Sequence, residues 1–444
     1  MHSQIQAIYD EVVRRNRGEA EFHQAVQEVL LTLVPALNKN PQYVEAAILN
    51  KMVEPERQII FGIPWVDDAG RVQMNRGFRV QFSSVLGPYK GGLRLDPSVQ
   101  LGTIKFLGFE QVFKNALTGL RLGGGKGGSD FNPAGRSDAE IHRFCVSFMT
   151  ELYRHIGPNL DVPAGDLGLG RRELGYLFGQ YRRLTSDFSD GILTGKHTGI
   201  GGSAGRPAAT GYGLALFADN ILRDNNQSLS GMRVSVSGSG NVGIHAIEKA
   251  QKLGAQVVAF SDITGYITTD QAVDMAALRQ VREVERAGLA RYAELVPGAV
   301  FHDSGSMWQV PVDVAMPCAT QNELNSENAR ALIAGGVRLV AEGANMPLTP
   351  NAVAALHEAK VLYAPGKAAN AGGVAVSGLE MRQNAGLQHW TEEQVEAELA
   401  VIMGNIHDRV LAVAEEYGSP GDYVVGANIA GFVRVADAML EMGI

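Results

Sequence analysis

Apolar residues recur three and four positions apart through residues 1–55, and this spacing predicts amphipathic helices. The helical positions include Ile5, Ile8, Val12, Phe22, Val26, Val29 and Leu30. Alternation of apolar and polar residues follows at 58–66 and 72–84, which predicts two strands. Asp96 and Pro97 then resemble a cap and first-turn proline, so we expect a helix from there to about Leu117.

Beyond residue 199 short β-prone runs alternate with helical segments. The runs cover 233–237 and 256–260 and then end at 317–320, 342–345 and 364–367. This alternation predicts a doubly wound parallel sheet, whose ligands lie beyond the carboxyl ends of its strands. We therefore predict an α/β protein of two domains. The N-terminal α/β domain takes residues 1–200, a Rossmann-type dinucleotide-binding domain takes 201–423, and a last helix at 424–444 returns to the first domain.

Composition narrows the classes of function. A length of 444 residues suits two domains, and 45% hydrophobic with 19% charged residues is ordinary for a soluble protein. The net charge of −8 argues against a nonspecific nucleic-acid binder. Cys145 and Cys318 are too few for a disulfide framework or a zinc site, so no metal is expected. With no signal pattern and no long apolar run, the chain is predicted to be cytoplasmic and to have no membrane partner.

The first chemical candidate is a lysine among five glycines, Gly123–Gly128 with Lys126. Glycine lets the backbone approach a ligand closely, and a lysine near other cations is a possible acid or base near neutral pH. The alternative is a flexible surface turn with a solvated lysine, and the hexapeptide alone leaves both open. It is not a phosphate-binding Walker loop, because Gly127 stands where Ser or Thr is required. We expect this and the other glycine clusters to lie at turns.

A second candidate is the fingerprint Gly238, Gly240 and Gly243, which follows a predicted strand and opens a predicted helix. Asp262 ends the next strand, as a dinucleotide site requires. The glycines allow a tight turn, close approach of the pyrophosphate and close packing of helix on strand. The helix N-terminus attracts the phosphates.

The choice between NAD and NADP stays open on these residues. Asp262 would accept the ribose hydroxyl of NAD, whereas Ser261 could donate to the 2′-phosphate of NADP. Four arginines follow, any of which could pair with that phosphate, although a solvated helix face explains some of them. They are Arg279, Arg282, Arg286 and Arg291.

Assembled in order, these segments resemble the hexameric NADP-dependent glutamate dehydrogenases of the Glu/Leu/Phe/Val dehydrogenase superfamily. The resemblance spans nearly the whole chain and rests on long motifs. They are Pro88–Arg94, Gly108–Asn115, Gly123–Gly128, Asp161–Asp166, Pro365–Gly373 and Gly426–Phe432.

The resemblance implies a role for each matching residue. Lys126 and Asp166 match the catalytic lysine and the carboxylate that shuttles protons. Gln111, Lys114 and Gly165 match the residues at the substrate α-carboxylate, and Lys90 and Ser377 match those at the distal carboxylate. Cofactor contacts are implied for Thr210, Gly238, Gly240, Asn241, Val242, Gly243, Ser261, Asp262, Arg282, Asn345 and Asn370. Gly243 departs slightly, since many members have alanine there.

The implied function is reversible deamination of L-glutamate to 2-oxoglutarate and ammonium in a cleft between the domains. NADP is the implied cofactor, with NAD less favoured, and the implied assembly is a homohexamer. A sister enzyme for leucine, phenylalanine or valine is the nearest alternative, and Lys90 and Ser377 argue against it because sisters carry apolar residues there. A noncatalytic sensor is a second alternative, against which Lys126 and Asp166 speak.

Overall fold

Short helices form the start of the chain, as the apolar spacing predicts. The computed structural model describes residues 2–444, so Met1, the first residue of the predicted N-terminal domain, lies outside the described residues. The helices are α1 (His2–Arg15), α2 (Ala20–Thr32), α3 (Val34–Lys39), α4 (Gln42–Glu45) and α5 (Ile48–Met52). Phe22, Val26 and Val29 are fully buried, so the apolar stripe of α2 faces a core.

A mixed sheet of five strands follows, in the order β1-β2-β4-β3-β5. The strands are β1 (Arg57–Val66), β2 (Val72–Ser83), β3 (Tyr89–Leu95), β4 (Gly124–Ser129) and β5 (Asp161–Gly165). The first two confirm the alternating pattern and pair antiparallel, whereas β4, β3 and β5 run parallel. Helices α6 (Leu101–Leu117), α7 (Asp138–Leu152) and α8 (Arg171–Thr185) accompany this sheet.

The glycine run lies in a strand, so the prediction that it forms a turn is wrong. All six residues of β4 are buried, between β2 and β3. A side chain at Gly124 would bring Cβ within 2.8 Å of the Cα of Val112 on α6, and one at Gly91 would overlap the carbonyl oxygen of Gly125. Glycine therefore serves close packing here, since it lets α6 lie directly on the strand.

The expected start of α6 is also wrong. The helix begins at Leu101 after an extended Gln100, not at Asp96 and Pro97. The Asp96 carboxylate instead accepts hydrogen bonds from the N–H (2.9 Å) and hydroxyl of Ser98. This local turn competes with the helical conformation, which is the usual behaviour of aspartate before a helix.

The second sheet has seven strands in the order β12-β11-β10-β6-β7-β8-β9. Its strands are β6 (Arg233–Val236), β7 (Gln256–Asp262), β8 (Gly265–Thr268), β9 (Val300–His302), β10 (Val314–Met316), β11 (Leu339–Ala341) and β12 (Leu362–Ala364). Five of them pair in parallel, which confirms the doubly wound prediction, and the short β8 and β9 add an antiparallel edge that was not predicted.

Helices cover both faces of this sheet and connect it to the first. They are α9 (Ala209–Asp224), α10 (Asn241–Lys252), α11 (Met275–Arg279), α12 (Ala290–Leu295), α13 (Ser326–Ala334), α14 (Pro350–Glu358), α15 (Gly366–Ala369), α16 (Gly372–Ala385), α17 (Glu392–Glu416) and α18 (Tyr423–Met442). A π-helical turn covers Gln280–Val284.

The last helix, α18, packs into the core of the first sheet. Ile429 and Phe432 are fully buried in the same cluster as Phe22 and Phe109. By length and composition α18 could cross a membrane, but 61% of its apolar window is buried within the protein. A buried amphipathic core helix passes the same test, so this helix is part of the protein interior. The division of the chain at residues 200 and 423 stays a prediction.

Candidate active site

A buried ion pair joins Lys126 on β4 to Asp166, which directly follows β5. The ammonium nitrogen lies 2.6 Å from Oδ2 of Asp166, and the side chains are 6% and 20% exposed. Arg94 on β3 lies 3.3 Å from the same oxygen. Between Arg94 and Lys90 the strand carries Gly92, where any Cβ would lie 3.3 Å from the Lys126 ammonium. A Cβ at Gly92 would also lie 2.9 Å from the Cβ of Asp166, so the two residues singled out for acid–base chemistry meet against a strand position that only glycine fills without crowding them.

Burial and charge act in opposite senses on this pair. Burial lowers the pKa of Lys126 from its usual value, and Arg94 adds to this while Asp166 partly offsets it. For Asp166 burial alone would raise the pKa, but Lys126 and Arg94 outweigh burial and hold the pKa well below its usual range. A lysine whose pKa is lowered exchanges its proton more readily near neutral pH than a surface lysine.

Helix α6 brings Gln111 and Lys114 toward the nucleotide-binding sheet. Lys114 Nζ donates to Oδ1 of Asn345, at 2.8 Å, and Asn370 donates to the same oxygen at 3.1 Å. Burial lowers the pKa of Lys114 to about 8. The amide of Gln111 donates to Asn115 one turn later, at 2.6 Å. Lys114 therefore links α6 to Asn345 and, through the amide oxygen of Asn345, to Asn370; the family resemblance implies cofactor contacts for both asparagines.

A second polar cluster lies around Lys90 and Ser377. Lys90 is 1% exposed and donates to the hydroxyl of the buried Thr194, at 2.7 Å. Ser377, on α16, accepts from Arg206 at 2.9 Å. Burial lowers the pKa of Lys90 well below its usual value, and the positive charge of Arg206 contributes to this lowering.

Sequence reasoning missed three residues of this region: Arg94, Thr194 and Arg206. Arg94 ends a motif that was recognised, and Arg206 lies in a glycine-rich stretch that was noticed without any role for its cation. Thr194 lies 104 positions from its partner Lys90, so no local pattern could have revealed it. Gly165, the last residue of β5, packs its Cα against the Leu169 carbonyl oxygen, which a Cβ would approach to 2.7 Å.

The dinucleotide fingerprint forms the turn between β6 and α10. Gly238 has φ of +74°, which glycine adopts without strain, and a Cβ there would lie 2.9 Å from the Cα of Ala319. A Cβ at Gly243 would overlap the Gly238 carbonyl oxygen, so the close packing assigned to this glycine is present. The first helical bond runs from the Ile244 N–H to the Gly240 oxygen, which leaves the preceding N–H groups, including that of Val242, for an anion.

The side chain of Asp262 is buried, and both of its oxygens have partners within the protein. Its side chain is 2% exposed, and one oxygen lies 3.1 Å from Arg282 while also accepting from the Leu289 N–H. The other oxygen accepts from the N–H and hydroxyl of Thr264. Arg282 in turn contacts the Ser239 carbonyl at 3.4 Å, so it lies across the mouth of the turn. Ser261 accepts from the Gly238 N–H at 3.3 Å.

The remaining arginines of this stretch are engaged elsewhere or exposed. Arg279 pairs with Glu248 and Glu283, and Arg291 pairs with Glu285 and Glu294. Arg286 is an exposed residue with φ of +53°. Arg282 is therefore the arginine of the four that lies against the dinucleotide turn.

The residues fit a dinucleotide. Among the residues that the structure describes, the buried Ser239 hydroxyl and the buried Asn370 carbonyl oxygen find no hydrogen-bond partner. Unpaired buried polar atoms are costly, and a bound ligand with hydrogen-bonding groups is one way to satisfy them. Thr210 on α9 and Asn241, which donates to the Pro207 carbonyl at 2.7 Å, lie beside the same turn. Within residues 2–444, no cluster of acidic, histidine and cysteine side chains suited to a metal is present.

Comparison with known proteins agrees with this geometry. Residues 201–443 match the model of the Glutamate/Leucine/Phenylalanine/Valine dehydrogenase family, and residues 55–183 match the dimerisation domain of the same family. The chain is 52% identical over 445 residues to the NADP-specific glutamate dehydrogenase of Salmonella typhimurium, covering 99% of this chain and 98% of the relative.

Solved structures agree as well. The glutamate dehydrogenase of Plasmodium falciparum superposes with a TM-score of 0.97 at 45% identity, covering 100% of this chain and 95% of that one. A hetero-hexameric glutamate dehydrogenase from Thermus thermophilus gives 0.83 at 28% identity, covering 93% and 98%. The chain therefore belongs to the Glu/Leu/Phe/Val dehydrogenase family.

Proposed function

We propose that this protein is an NADP-dependent glutamate dehydrogenase, which interconverts L-glutamate and 2-oxoglutarate with ammonium. The observation that carries the proposal is a set of buried cations with polar partners. Lys126 pairs with Asp166 beside Gly92, and Lys114 on α6 donates to Asn345. Lys90 donates to Thr194, and Arg206 donates to Ser377. A diacid needs cations at both ends, and burial strengthens such charge-assisted contacts.

In the proposed chemistry Lys114, with Gln111 and Gly165, binds the α-carboxylate. Lys126 polarises the 2-oxo group and takes a proton from the water that hydrolyses the imine. Asp166, 2.6 Å from that ammonium, passes protons to and from the substrate nitrogen. The lowered pKa of Lys126 suits a group that must release and regain its proton in each cycle. When bound, the nicotinamide supplies or accepts the hydride.

Lys90 and Ser377 with their partners Thr194 and Arg206, here called the distal cluster, favour glutamate over the apolar amino acids that sister enzymes use. Lys90 and Ser377 are each 1% exposed, and the hydrogen-bond acceptor of the Lys90 ammonium is the neutral hydroxyl of Thr194. An apolar substrate side chain would bury this ammonium further without supplying an anion to balance it. A site built to bind a polar group rejects analogues that lack the group by about four orders of magnitude. We propose that Lys90 and Ser377, with Thr194 and Arg206, hold the distal carboxylate.

For the cofactor we propose NADP rather than NAD. Both oxygens of Asp262 are engaged within the protein, so they do not serve as acceptors for a ribose hydroxyl. Arg282 and Ser261 lie beside the dinucleotide turn and are proposed to bind the 2′-phosphate. Gly238, Gly240, Asn241, Val242, Gly243, Thr210, Asn345 and Asn370 are proposed to hold the rest of the dinucleotide.

We also propose a homohexamer. Support comes from the match to a dimerisation domain and from the hetero-hexameric assembly named for the Thermus relative. Ile60, Val72 and Met74 on β1 and β2 are 51%, 74% and 68% exposed, which suits a surface covered by another subunit. Light scattering tests the assembly, and a monomer would contradict it. A cytoplasmic location stays a prediction from the sequence.

Absorbance of the reduced nicotinamide tests the function directly. We expect NADPH to be consumed when the protein is mixed with 2-oxoglutarate and ammonium, and NADH to be consumed more slowly. Replacing Lys90→Leu should lower kcat/KM for 2-oxoglutarate at least about 100-fold, because the distal carboxylate of the substrate loses the buried ammonium proposed to bind it.

The control is Lys51→Leu, which removes an exposed lysine from α5 and should leave kcat/KM within about twofold. Absence of NADPH consumption by the unaltered protein would exclude the proposed reaction. Undiminished turnover of 2-oxoglutarate in Lys90→Leu would instead show that the distal cluster has been assigned to the wrong part of the substrate.

A further inference from the structure

A buried group of charges lies one helical turn before Lys114, outside the residues assigned to the reaction. Glu110 is on α6, and its Oε1 lies 3.3 Å from the Lys367 ammonium on α15. The two side chains are only 8% and 13% exposed. Lys367 also donates to Asn428 on α18, at 3.2 Å. One lysine therefore contacts both the substrate helix and the returning C-terminal helix.

Two acids on other elements add to this group of charges. Burial raises the pKa of Glu28, on α2, and of Glu342, which follows β11; the charge of Glu110 adds to the rise and that of Lys367 opposes it. Glu342 accepts from the Tyr363 hydroxyl at 2.6 Å and from the Gly366 N–H at 2.7 Å. These bonds fix the carboxyl at the start of α15, directly beside Lys367.

Glu110 and Lys114 are four positions apart, so they share one face of α6. Each reaches across to the nucleotide-binding sheet: Lys114 to Asn345 beyond β11, and Glu110 to Lys367 beyond β12. The helix that carries the α-carboxylate site is thus attached at two successive turns to the carboxyl ends of two parallel strands.

We propose that Glu110 and Lys367 are positioning residues, which hold α6 against the nucleotide-binding sheet and balance the charge next to Lys114. The inference rests on the proposed function, because it concerns the site for the substrate α-carboxylate. Neither residue touches the substrate. Their effect passes through Lys114, whose ammonium must be protonated and correctly placed to bind that carboxylate.

The charges around Lys114 determine the direction in which each substitution should shift its protonation. Glu110 on its own helix and Asp166 after β5 favour the protonated ammonium, whereas Lys126 on β4 and Lys367 on α15 disfavour it. Removing Glu110 therefore makes Lys114 lose its proton at lower pH. Removing Lys367 has the opposite effect, although both changes break the same ion pair.

The experiment compares Glu110→Gln and Lys367→Gln in the full-length protein, with kcat/KM for glutamate measured against pH. This parameter reports ionisations of the free enzyme. We expect the alkaline limb to move down by about 0.5 to 1 pH unit in Glu110→Gln and up by a similar amount in Lys367→Gln. At a pH on this limb, KM for glutamate should rise in Glu110→Gln with a smaller change in kcat.

Two further variants guard against simple loss of structure. Lys367→Arg keeps the charge and should keep the limb within about 0.2 pH unit of the unaltered enzyme. The double variant Glu110→Gln/Lys367→Gln removes both charges, so its limb should also return toward that of the unaltered enzyme. If either single variant fails to fold, the double variant and Lys367→Arg still test the charge balance.

The outcomes separate the two claims. If the alkaline limb moves in the same direction in both single variants, or in neither, the inference is overturned while the proposed glutamate dehydrogenase function still stands. A double variant displaced as far as either single variant would also overturn it. If the unaltered protein turns over no glutamate at any pH, the proposed function fails, and the inference fails with it.

Discussion

Replacing Lys126→Met separates the catalytic role of the Lys126–Asp166 pair from its structural role. The change keeps the apolar length of the side chain and removes the ammonium 2.6 Å from Asp166. Arg94, at 3.3 Å, then remains as a cation on that carboxylate. Both turnover and stability should respond, but by different mechanisms.

The size of each response follows from the geometry. Loss of a positioned acid–base group lowers rates about 10²–10⁴-fold, which corresponds to about 3 to 5 kcal/mol of transition-state stabilisation. Breaking a buried ion pair costs about 3–5 kcal/mol when the remaining charge has no partner. Because Arg94 stays and Asp166 is 20% exposed, we expect a smaller loss of unfolding free energy, about 1–3 kcal/mol.

The stability loss should depend on pH. The pKa of Asp166 in the folded protein lies below its ordinary value of 3.8, so its stabilising contribution is present above that value and is lost as the pH falls through the folded pKa. In Lys126→Met burial opposes ionisation with less compensation, and the pKa of Asp166 rises. The difference in stability between the variant and the unaltered protein should therefore shrink in acid.

The assay pairs kcat/KM from NADPH absorbance with urea unfolding at fixed protein concentration. The double variant Lys126→Met/Asp166→Asn is the matched control, because it also removes the carboxylate charge that Lys126 balances. We expect it to regain most of the lost stability and none of the activity. Turnover of Lys126→Met within tenfold of normal would refute the catalytic assignment. Recovery of activity together with stability in the double variant would show that only the fold had been damaged.

Two other substitutions test further parts of the structure. Asp262→Asn should lower the ratio of kcat/KM for NADPH to that for NADH by about 3–10-fold, because the ion pair that positions Arg282 for the 2′-phosphate is lost. The ratio should not change in the control Glu283→Gln. A rise of the ratio in Asp262→Asn would show instead that Asp262 repels the 2′-phosphate. Burial raises the pKa of Glu342 from 4.5 to about 7, so the folded state should lose about 3 kcal/mol as the pH rises from below 4.5 to above 7. Glu342→Gln should therefore unfold at higher urea than the unaltered protein at pH 8 but not at pH 4, and equal midpoints at pH 8 would contradict the burial argument.

Local patterns in the sequence predicted what depends on neighbours along the chain. The turn at Gly238 has the expected conformation, and the local Ser-x-x-Glu spacing of Ser137 and Glu140 forms a capping box at the start of α7. The strand at Gly124 was missed because glycine is depleted in strands, and its reason is the approach of Val112 from another element. The start of α6 was misplaced because the Asp96 side chain satisfies Ser98 instead of the helix.

The candidate site shows the same division. The glycine run drew attention to Lys126 and the family resemblance assigned roles to Asp166 and Lys90, but motif spacing does not give the distance between them. The contact of Lys114 with Asn345 joins residues 231 positions apart, and that of Arg206 with Ser377 joins residues 171 apart. Such pairs follow from how two sheets are brought together, which one sequence does not disclose.

The buried charges of the distal cluster limit how this enzyme can be redesigned to accept hydrophobic amino acids. Lys90, Thr194 and Ser377 are buried, and Lys196 and Glu380 form a fully enclosed ion pair beside them. Replacing one member leaves the buried charges of the others without partners. Variants made one substitution at a time should therefore be unstable and inactive. Libraries that vary the whole set together, with apolar residues of matching volume, offer the more practical route to new specificity.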